Sequence, residues 1–189
     1  MKFSRLFAVG LFAFSLINVP TATTALSQSK RQLDNRVPAH LPIKIKIKKE
    51  HEECFQDLEN EYWAHDFLLE VTNTGDRPIY ALSLVWNLTE IRAPDGNLYG
   101  STMNYGRSAL VTVFGETPKP DDVPIKPGET HVFKLSKMSI GGLEGFAREY
   151  NLLPLKSVTV LFNYIFFGDG TGWHSPDGRP FDRRKPPPL

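Results

Sequence analysis

Residues 71–79 read Val71-Thr72-Asn73-Thr74-Gly75-Asp76-Arg77-Pro78-Ile79. A second stretch of the same kind, further along the chain, reads Pro124-Ile125-Lys126-Pro127-Gly128-Glu129-Thr130. Each places Gly and Pro, the first with Asn as well, between segments in which apolar and polar residues alternate. This arrangement is typical of consecutive strands in an antiparallel sandwich. The two stretches therefore predict an all-β fold class, although they indicate no particular chemistry.

Alternation of period two recurs along most of the chain and predicts about seven strands. The segments that show it are 41–48, 62–73, 79–89, 109–114, 131–135 and 158–167. The last of them is apolar on both faces, so we expect it to be the most buried strand. One short helix is predicted over residues 142–150, where apolar residues follow helical spacing. Together these elements predict an Ig-like antiparallel β-sandwich.

The first 25 residues have the pattern of a signal peptide. Lys2 and Arg5 form a basic start, residues 6–19 are almost entirely apolar, and small residues lead to a cleavage position after Ala25. The apolar run is shorter than the roughly 20 residues that a membrane-spanning helix needs. We therefore expect residues 1–25 to be removed, which would leave a secreted or periplasmic protein without a stable membrane span.

The rest of the chain divides into three predicted segments. Residues 26–40 are polar without periodicity and predict a flexible linker, residues 41–182 form the β-sandwich domain, and residues 183–189 form a Pro-rich tail that need not pack. Removal of the signal peptide would lower the 22 Lys and Arg to 20, against 21 Asp and Glu, and bring the net charge from +1 to −1. This balance argues against a nucleic-acid-binding function, which requires a basic face.

Cys54 is the only cysteine of the chain, so no internal disulfide is possible. Unpaired cysteines are among the most commonly buried residues, and we expect Cys54 to be buried. In an oxidising compartment the alternative is a disulfide with another chain, which the sequence leaves open.

Three motifs resemble those of a family of uncharacterised secreted bacterial proteins. They are the turn at residues 71–80, the turn at residues 122–129, and a terminal motif that reads Phe167-Gly168-Asp169-Gly170-Thr171-Gly172 and is followed by an aromatic residue. The terminal motif is the most distinctive, and the resemblance covers most of residues 60–181. It implies an exported bacterial β-sandwich domain and brings no activity with it.

Two groups of residues are candidate metal ligands. Asp169 and Asp177, each next to a glycine, could offer carboxylate and carbonyl oxygens to Ca²⁺. Their spacing does not match an EF-hand loop, and Asp-Gly pairs also encode tight turns, so a hairpin without metal is the alternative. His51, Cys54 and His65 suggest Zn²⁺, since His-x-x-Cys has ligand-like spacing, but no fourth ligand is evident.

A third group suggests ligand binding. Trp173 follows a predicted turn at one end of the sandwich, and Tyr105 and Arg107 lie in a polar, aromatic segment. If these side chains meet, they would form a shallow platform for a sugar or a peptide, with Arg107 as the charged contact. The alternative for Trp173 is a lid over the end of the core, because tryptophan is highly buried on average.

No recognisable nucleophile–base pair or catalytic metal motif is present in the sequence. His174 and Ser175 are sequence neighbours whose side chains are expected to diverge, and no nucleophile elbow surrounds them. We therefore expect a protein that is not an enzyme and needs no cofactor.

The function predicted from the sequence is an exported, non-catalytic binding or structural module. Its partner would be a protein or a glycan in the cell envelope or outside the cell, bound by strand addition along the Lys-rich strand 41–48 or through the end loops. The alternative is a Ca²⁺- or Zn²⁺-dependent binding protein that uses Asp169 and Asp177, or His51, Cys54 and His65.

Overall fold

The computed structural model describes residues 30–92, 96, 98–150 and 154–184. The described strands are β1 (Gln32–Asn35), β2 (Ile43–Ile47), β3 (Leu68–Asn73), β4 (Ala81–Arg92), β5 (Leu98–Tyr105), β6 (Thr130–Lys134), β7 (Ser157–Phe166), β8 (Thr171–His174) and β9 (Arg179–Asp182). The helices are α1 (Glu52–Gln56), α2 (Trp63–Asp66), α3 (Ala109–Thr112) and α4 (Lys137–Tyr150), and a 3₁₀ turn (Lys49–His51) precedes α1. The predicted signal peptide, residues 1–25, lies outside the described residues.

The strands form two sheets. The larger sheet has the order β5-β4-β7-β8-β9 with antiparallel neighbours, and β1 joins it as a parallel neighbour of β7. The smaller sheet is antiparallel and has the order β2-β3-β6. Side chains of both sheets share one apolar core, which confirms the predicted all-β sandwich. Central members of that core are Leu69, Val71, Phe133, Leu84, Trp86, Val160 and Phe162.

Strand β7 lies in the middle of the larger sheet. It pairs with β4 along one side, and with β1 and then β8 along the other. A strand with neighbours on both sides and packing on both faces must be apolar throughout, which is why segment 158–167 lacks a polar face. The prediction that it is a buried strand is confirmed, since Val158, Val160 and Ile165 are fully buried.

The two glycine- and proline-containing stretches meet in space. Asn73 ends β3, and its side-chain amide donates to the carbonyls of Arg77 (2.8 Å) and Ile125 (2.9 Å). Its side-chain oxygen accepts from the N–H of Gly75 at 3.0 Å, a local bond that shapes the turn. A buried asparagine amide therefore ties the turn after β3 to the segment that leads into β6.

The structure corrects the prediction of a linker over residues 26–40. Within that range Gln32–Asn35 form β1. The backbone N–H of Gln32 bonds to the carbonyl of Lys156, just before β7, and that of Arg36 bonds to Val160 of β7, at 2.9 Å each. The local pattern gave no sign of this strand, because Leu33 is its only apolar residue. Its formation depends on pairing with a strand more than a hundred residues away.

Segment 62–73, predicted to be one strand, begins with α2 and forms β3 only from Leu68. Trp63 and Phe67 are four residues apart, so a helical turn places both on one side. There they pack with the ring of Phe55. Because the same two residues are also compatible with alternation of period two, the sequence pattern did not distinguish the two conformations.

Segment 109–114, also predicted to be a strand, forms α3 instead. The helix buries Leu110 against Phe166 on the outer face of the larger sheet. The predicted helix 142–150 exists but begins earlier, at Lys137, because the Ser136 hydroxyl accepts the N–H of Ser139 at 3.0 Å as an N-terminal cap. The described chain thus has more helices than the one expected.

Two further expectations are corrected at the surface of the domain. Cys54 is exposed, because α1 turns Phe55 into the core and leaves the thiol outside. Arg183, assigned to the tail 183–189, donates to the carbonyls of Leu110 (3.1 Å) and Val113 (3.2 Å) and so binds the end of α3. Residues 185–189 of that tail lie outside the described residues.

Candidate functional site

The structure does not bring Trp173, Tyr105 and Arg107 together. Tyr105 of β5 pairs with Leu82, Leu82 pairs with Ile165, and Ile165 pairs with Trp173 of β8. Tyr105 and Trp173 therefore share one face of the larger sheet but are three strand spacings apart, about 14 Å. Such a separation excludes a single shallow platform made of both rings.

Tyr105 closes one lateral side of the sandwich. Its ring centroid is 4.5 Å from that of His131 on β6, and its hydroxyl donates to the carbonyl of Val123 at 2.6 Å. Burial raises the pKa of Tyr105 and lowers the pKa of His131. These contacts join the edge of the larger sheet at β5 to the edge of the smaller sheet at β6.

Arg107 organises the long loop after β5. Its guanidinium binds both carboxylate oxygens of Asp122 at 2.7 Å and one oxygen of Glu116 at 2.6 Å. The hydrogen bonds from Arg107 hold the pKa of Asp122 at about 2, below its ordinary value of 3.8. With its donors committed in this way, Arg107 has a structural role in holding the loop.

Trp173 packs at the end of the core, in agreement with the alternative of a lid. Its ring centroid lies 5.3 Å from that of His40, and the side chain is only partly buried. His40 in turn contacts the carbonyl of Gly178 through Nε2 at 2.9 Å. The hairpin of β8 and β9 is thereby fixed to the segment that precedes β2.

The carboxylates of Asp169 and Asp177 each accept hydrogen bonds from a residue two positions further along the chain. Asp169 accepts from the N–H (2.9 Å) and the hydroxyl (2.5 Å) of Thr171, and Asp177 accepts from Arg179 at 2.7 Å. This is the geometry of two hairpin turns. Within the part of the chain that the structure describes, no group of three or more His, Cys, Asp and Glu side chains has the arrangement of a metal site.

The candidate zinc ligands are likewise separated. His51 contacts Asp66 at 3.1 Å, and His65 contacts Glu144 on α4 at 2.9 Å. Cys54 lies exposed on α1. Each histidine thus has a carboxylate partner of its own.

His174 and Ser175 depart from expectation, because their side chains meet. The Ser175 hydroxyl lies 2.9 Å from Nδ1 of His174, and Ser175 has a positive φ of 68°. The pair lies at the tip of the β8–β9 hairpin, where the N–H of Gly178 bonds to the carbonyl of Ser175. Neither side chain lines either of the two cavities described below.

The Lys-rich strand 41–48 was predicted as an edge for strand addition, but the sequence gave no sign of the groove beside that strand, on the lateral side opposite Tyr105 and His131. We call it the lateral groove, and it is lined by residues 30–33, 45–47, 49, 52, 55 and 56. Its volume is about 700 Å³. It lies between β1, at an edge of the larger sheet, and β2, the edge strand of the smaller sheet.

The hydrogen-bond register between β2 and β3 shows which backbone groups of β2 do not bond to β3. Pro42 accepts from Thr74 N–H, and Lys48 N–H donates to Leu68, so the even-numbered residues of β2 bond to β3. In an antiparallel pair the intervening residues direct N–H and C=O to the other side. The backbone groups of Ile45 and Ile47 therefore point away from β3, toward the groove that these residues line.

The same argument applies to β1. Gln32 donates to Lys156 and Arg36 donates to Val160 of β7, so the intervening backbone groups of Leu33 are directed away from β7. Leu33 also lines the lateral groove. The groove is thus bordered on both sides by strand edges whose outward-directed backbone groups have no partner among the described residues.

The charged residues that line the lateral groove are mostly basic. It contains Lys30, Arg31, Lys46 and Lys49 against the single carboxylate of Glu52. Lys46 also binds Glu70 of β3 at 2.8 Å, on the neighbouring strand. The excess of positive charge favours an anionic occupant.

A second cavity, of about 110 Å³, lies between α2 and α4. Its floor includes Trp63, Leu143 and Ala147, which are buried. The volume is of the order of an engineered cavity of roughly 150 Å³ that accepts benzene, so one small apolar group could enter. The lining contains the acidic Glu61 and Glu144 as well as the basic Arg148, so its charge favours neither an anion nor a cation.

Comparison with known proteins gives no relative. No family model matches the chain, and no curated protein and no solved structure matches it. The resemblance to a secreted bacterial family therefore stays a prediction. Among the described residues, none of the helices has the length and apolar character required to cross a membrane.

Proposed function

We propose that this protein is an exported, non-catalytic binding module that captures an extended, acid-rich segment of a partner polypeptide in the lateral groove. The single observation that supports this most is that two strand edges, at Ile45 and Leu33, border one groove with backbone groups that have no partner within the described part of the chain. A segment added there would continue a sheet through main-chain hydrogen bonds. The apolar run of residues 6–19, after a basic start, supports export.

The contrast between the two lateral sides of the sandwich supports the location. On one side Tyr105 and His131 bring the two sheets into contact. On the other side the edges of β1 and β2 are separated by a groove of about 700 Å³. Exposed edges are generally protected in proteins that do not use them, so an open groove favours a binding role.

Charge supports the acidic character of the partner. Lys30 and Lys49 line the groove, and Lys44 projects from the exposed face of β2. Acidic side chains of a segment in the groove would lie near Lys30 and Lys49 and would be attracted by their charge. A basic segment would be repelled, which gives the groove selectivity between extended segments.

The test uses capped peptides of alternating residues, (Glu-Val)₄ and (Lys-Val)₄, titrated into the purified protein and followed by calorimetry. We expect (Glu-Val)₄ to bind and (Lys-Val)₄ to bind at least about tenfold more weakly. A version of (Glu-Val)₄ with N-methyl groups at every second residue loses its strand donors and should not bind. Equal binding of the acidic and basic peptides would contradict the proposal, as would no binding of either.

A pair of proline variants locates the binding edge. Ile45→Pro removes an N–H that faces the lateral groove and leaves the bonds between β2 and β3 intact. Val132→Pro is the matched control, at the opposite edge of the same sheet. The N–H of Asn73 bonds to the carbonyl of Glu129, so the odd-numbered residues of this segment bond to β3 and the N–H of Val132 points away from β3. Only Ile45→Pro should abolish binding. Equal loss in both variants would show that the groove is not the site.

A further inference from the structure

The guanidinium group of Arg31, the residue before β1, is hydrogen-bonded to backbone carbonyls in the interior of the domain. Its Nε donates to the carbonyl of Leu155 at 2.9 Å, and its Nη1 donates to the carbonyls of Phe55 and Asp57 at 2.8 Å each. The guanidinium carbon lies 4.7 Å from the centroid of the Trp63 ring. Three carbonyls and an aromatic face thus fix the position and plane of this cation.

The second terminal nitrogen of Arg31, Nη2, is buried and has no acceptor among the described residues. The whole residue is only 1% exposed, and no carboxylate of the described chain is within ion-pair distance of it. Burial lowers the pKa of Arg31 to about 10, against the opposing influence of Asp57 and Glu90. The group is therefore a cation at neutral pH, and a buried cation without a counterion is energetically unfavourable.

Arg31 also lines the lateral groove. We propose, as a refinement that rests on the proposed function, that Nη2 of Arg31 receives the side-chain carboxylate of a glutamate in the captured segment. The two N–H groups of Nη2 remain available to a carboxylate, and a hydrogen bond between two charged groups is about twice as strong as a neutral one. Because Nε and Nη1 are already held by backbone carbonyls, little side-chain freedom is lost when the remaining nitrogen binds.

Two observations favour a glutamate over other acidic groups. Nη2 is buried, so a carboxylate has to extend inward from the backbone of the segment to meet it, and the glutamate side chain extends further than that of aspartate. Lys30, which reaches Gln56 at 3.3 Å, and Lys49 lie on the same groove and add positive charge along the entry path. The carboxylate would end in a fixed site, whereas the neighbouring acidic side chains would stay in solvent.

The test replaces each glutamate of the capped (Glu-Val)₄ peptide in turn, first by glutamine and then by aspartate, and measures the affinity of the purified protein for every peptide. At one position glutamine should weaken binding by about 10- to 100-fold, and at the other positions by no more than about threefold. Aspartate at the sensitive position should also weaken binding. A uniform small effect at all positions would overturn the glutamate site while leaving capture in the groove intact.

A protein variant supplies the second readout. In Arg31→Lys the preference for glutamate over glutamine at the sensitive position should fall to less than about threefold, because the ammonium cannot keep three carbonyls and also reach the carboxylate. Thermal unfolding of Arg31→Lys checks that it is folded. If that variant does not fold, the resonance of the Arg31 Nη2 protons in the natural protein decides, since it should shift on addition of the glutamate peptide and not of the glutamine peptide. No binding by any peptide would instead refute the proposed function itself.

Discussion

The guanidinium carbon of Arg77 lies 3.7 Å from the centroid of the Phe167 ring. The same side chain donates to the Thr171 hydroxyl at 2.8 Å and reaches the Asp169 carboxylate at 3.4 Å. Arg77 belongs to the turn after β3. Phe167, Asp169 and Thr171 belong to the motif that joins β7 to β8. The terminal motif at residues 167–172 therefore forms a turn that is held by Arg77, from the turn after β3 in the smaller sheet. Its carboxylate, Asp169, has Arg77 as a structural partner.

Replacement of Arg77 by methionine should destabilise the domain. Arg77→Met keeps the length of the side chain but removes the cation over Phe167 and the hydrogen bond to Thr171, which together contribute about 1 to 2 kcal/mol. Arg179→Met is the matched control, since Arg179 pairs with Asp177 in a largely exposed contact and its removal should cost much less stability. Urea unfolding of both variants gives the comparison. Equal losses would mean that the contact with Phe167 contributes nothing specific.

The fold was largely predictable where local pattern and tertiary context agree. Strands β3, β4 and β7 follow from alternation of period two, and the turn at residues 71–79 follows from its asparagine and glycine. Strand β1 was not predictable, because a four-residue polar segment is ordered only by pairing with β7. The helical turn at Trp63 was missed because its spacing fits two conformations.

The candidate site was less predictable than the fold. The Lys-rich strand 41–48 was predicted as an edge for strand addition, but the groove exists only because β1 and β2 lie on the same lateral side of the two sheets. Arg31 gave no local signal at all, since a basic residue in a polar segment is expected to be solvated. Its burial results from carbonyls contributed by residues far along the chain, such as Leu155.

Stability at acidic pH should depend on Asp122. The Arg107 contact holds the pKa of Asp122 at about 2 in the folded protein, below the ordinary value of 3.8. A depressed carboxyl pKa stabilises the folded state above the ordinary value, and that contribution is lost as the pH falls from about 4 to about 2. Asp122→Asn should therefore lose less stability than the natural protein between pH 5 and pH 2, roughly the range of this titration. Parallel acid-unfolding curves for the two proteins would contradict this assignment.

Two glycines should respond to alanine in opposite directions. Gly145 lies in α4 with open space where a Cβ would be, so Gly145→Ala should stabilise the domain by about 0.5 to 1 kcal/mol through helix propensity. A Cβ on Gly172 of β8 would press against the carbonyl oxygen of Ile165 and the ring of Phe181. Gly172→Ala should therefore destabilise by about 2 to 3 kcal/mol. Thermal unfolding of both variants checks the signs. A neutral effect of Gly172→Ala would show that β8 lies further from β7 and β9 than the structure places it.

Charge in the lateral groove should control the rate at which an acidic segment binds. Lys49 lines the groove and has no carboxylate partner among the described residues, so Lys49→Glu reverses a charge on the approach path of the peptide. At low salt we expect the association rate of (Glu-Val)₄ to fall by about tenfold, and the difference to shrink at 0.5 M salt, where the Debye length is roughly 4 Å. Lys134→Glu, on β6 at the opposite edge of the same sheet, is the control with the same net charge and should change the rate less than about twofold. Stopped-flow measurement at both salt concentrations separates the two variants, because an effect of overall charge would slow them equally, whereas an effect of the groove slows only Lys49→Glu.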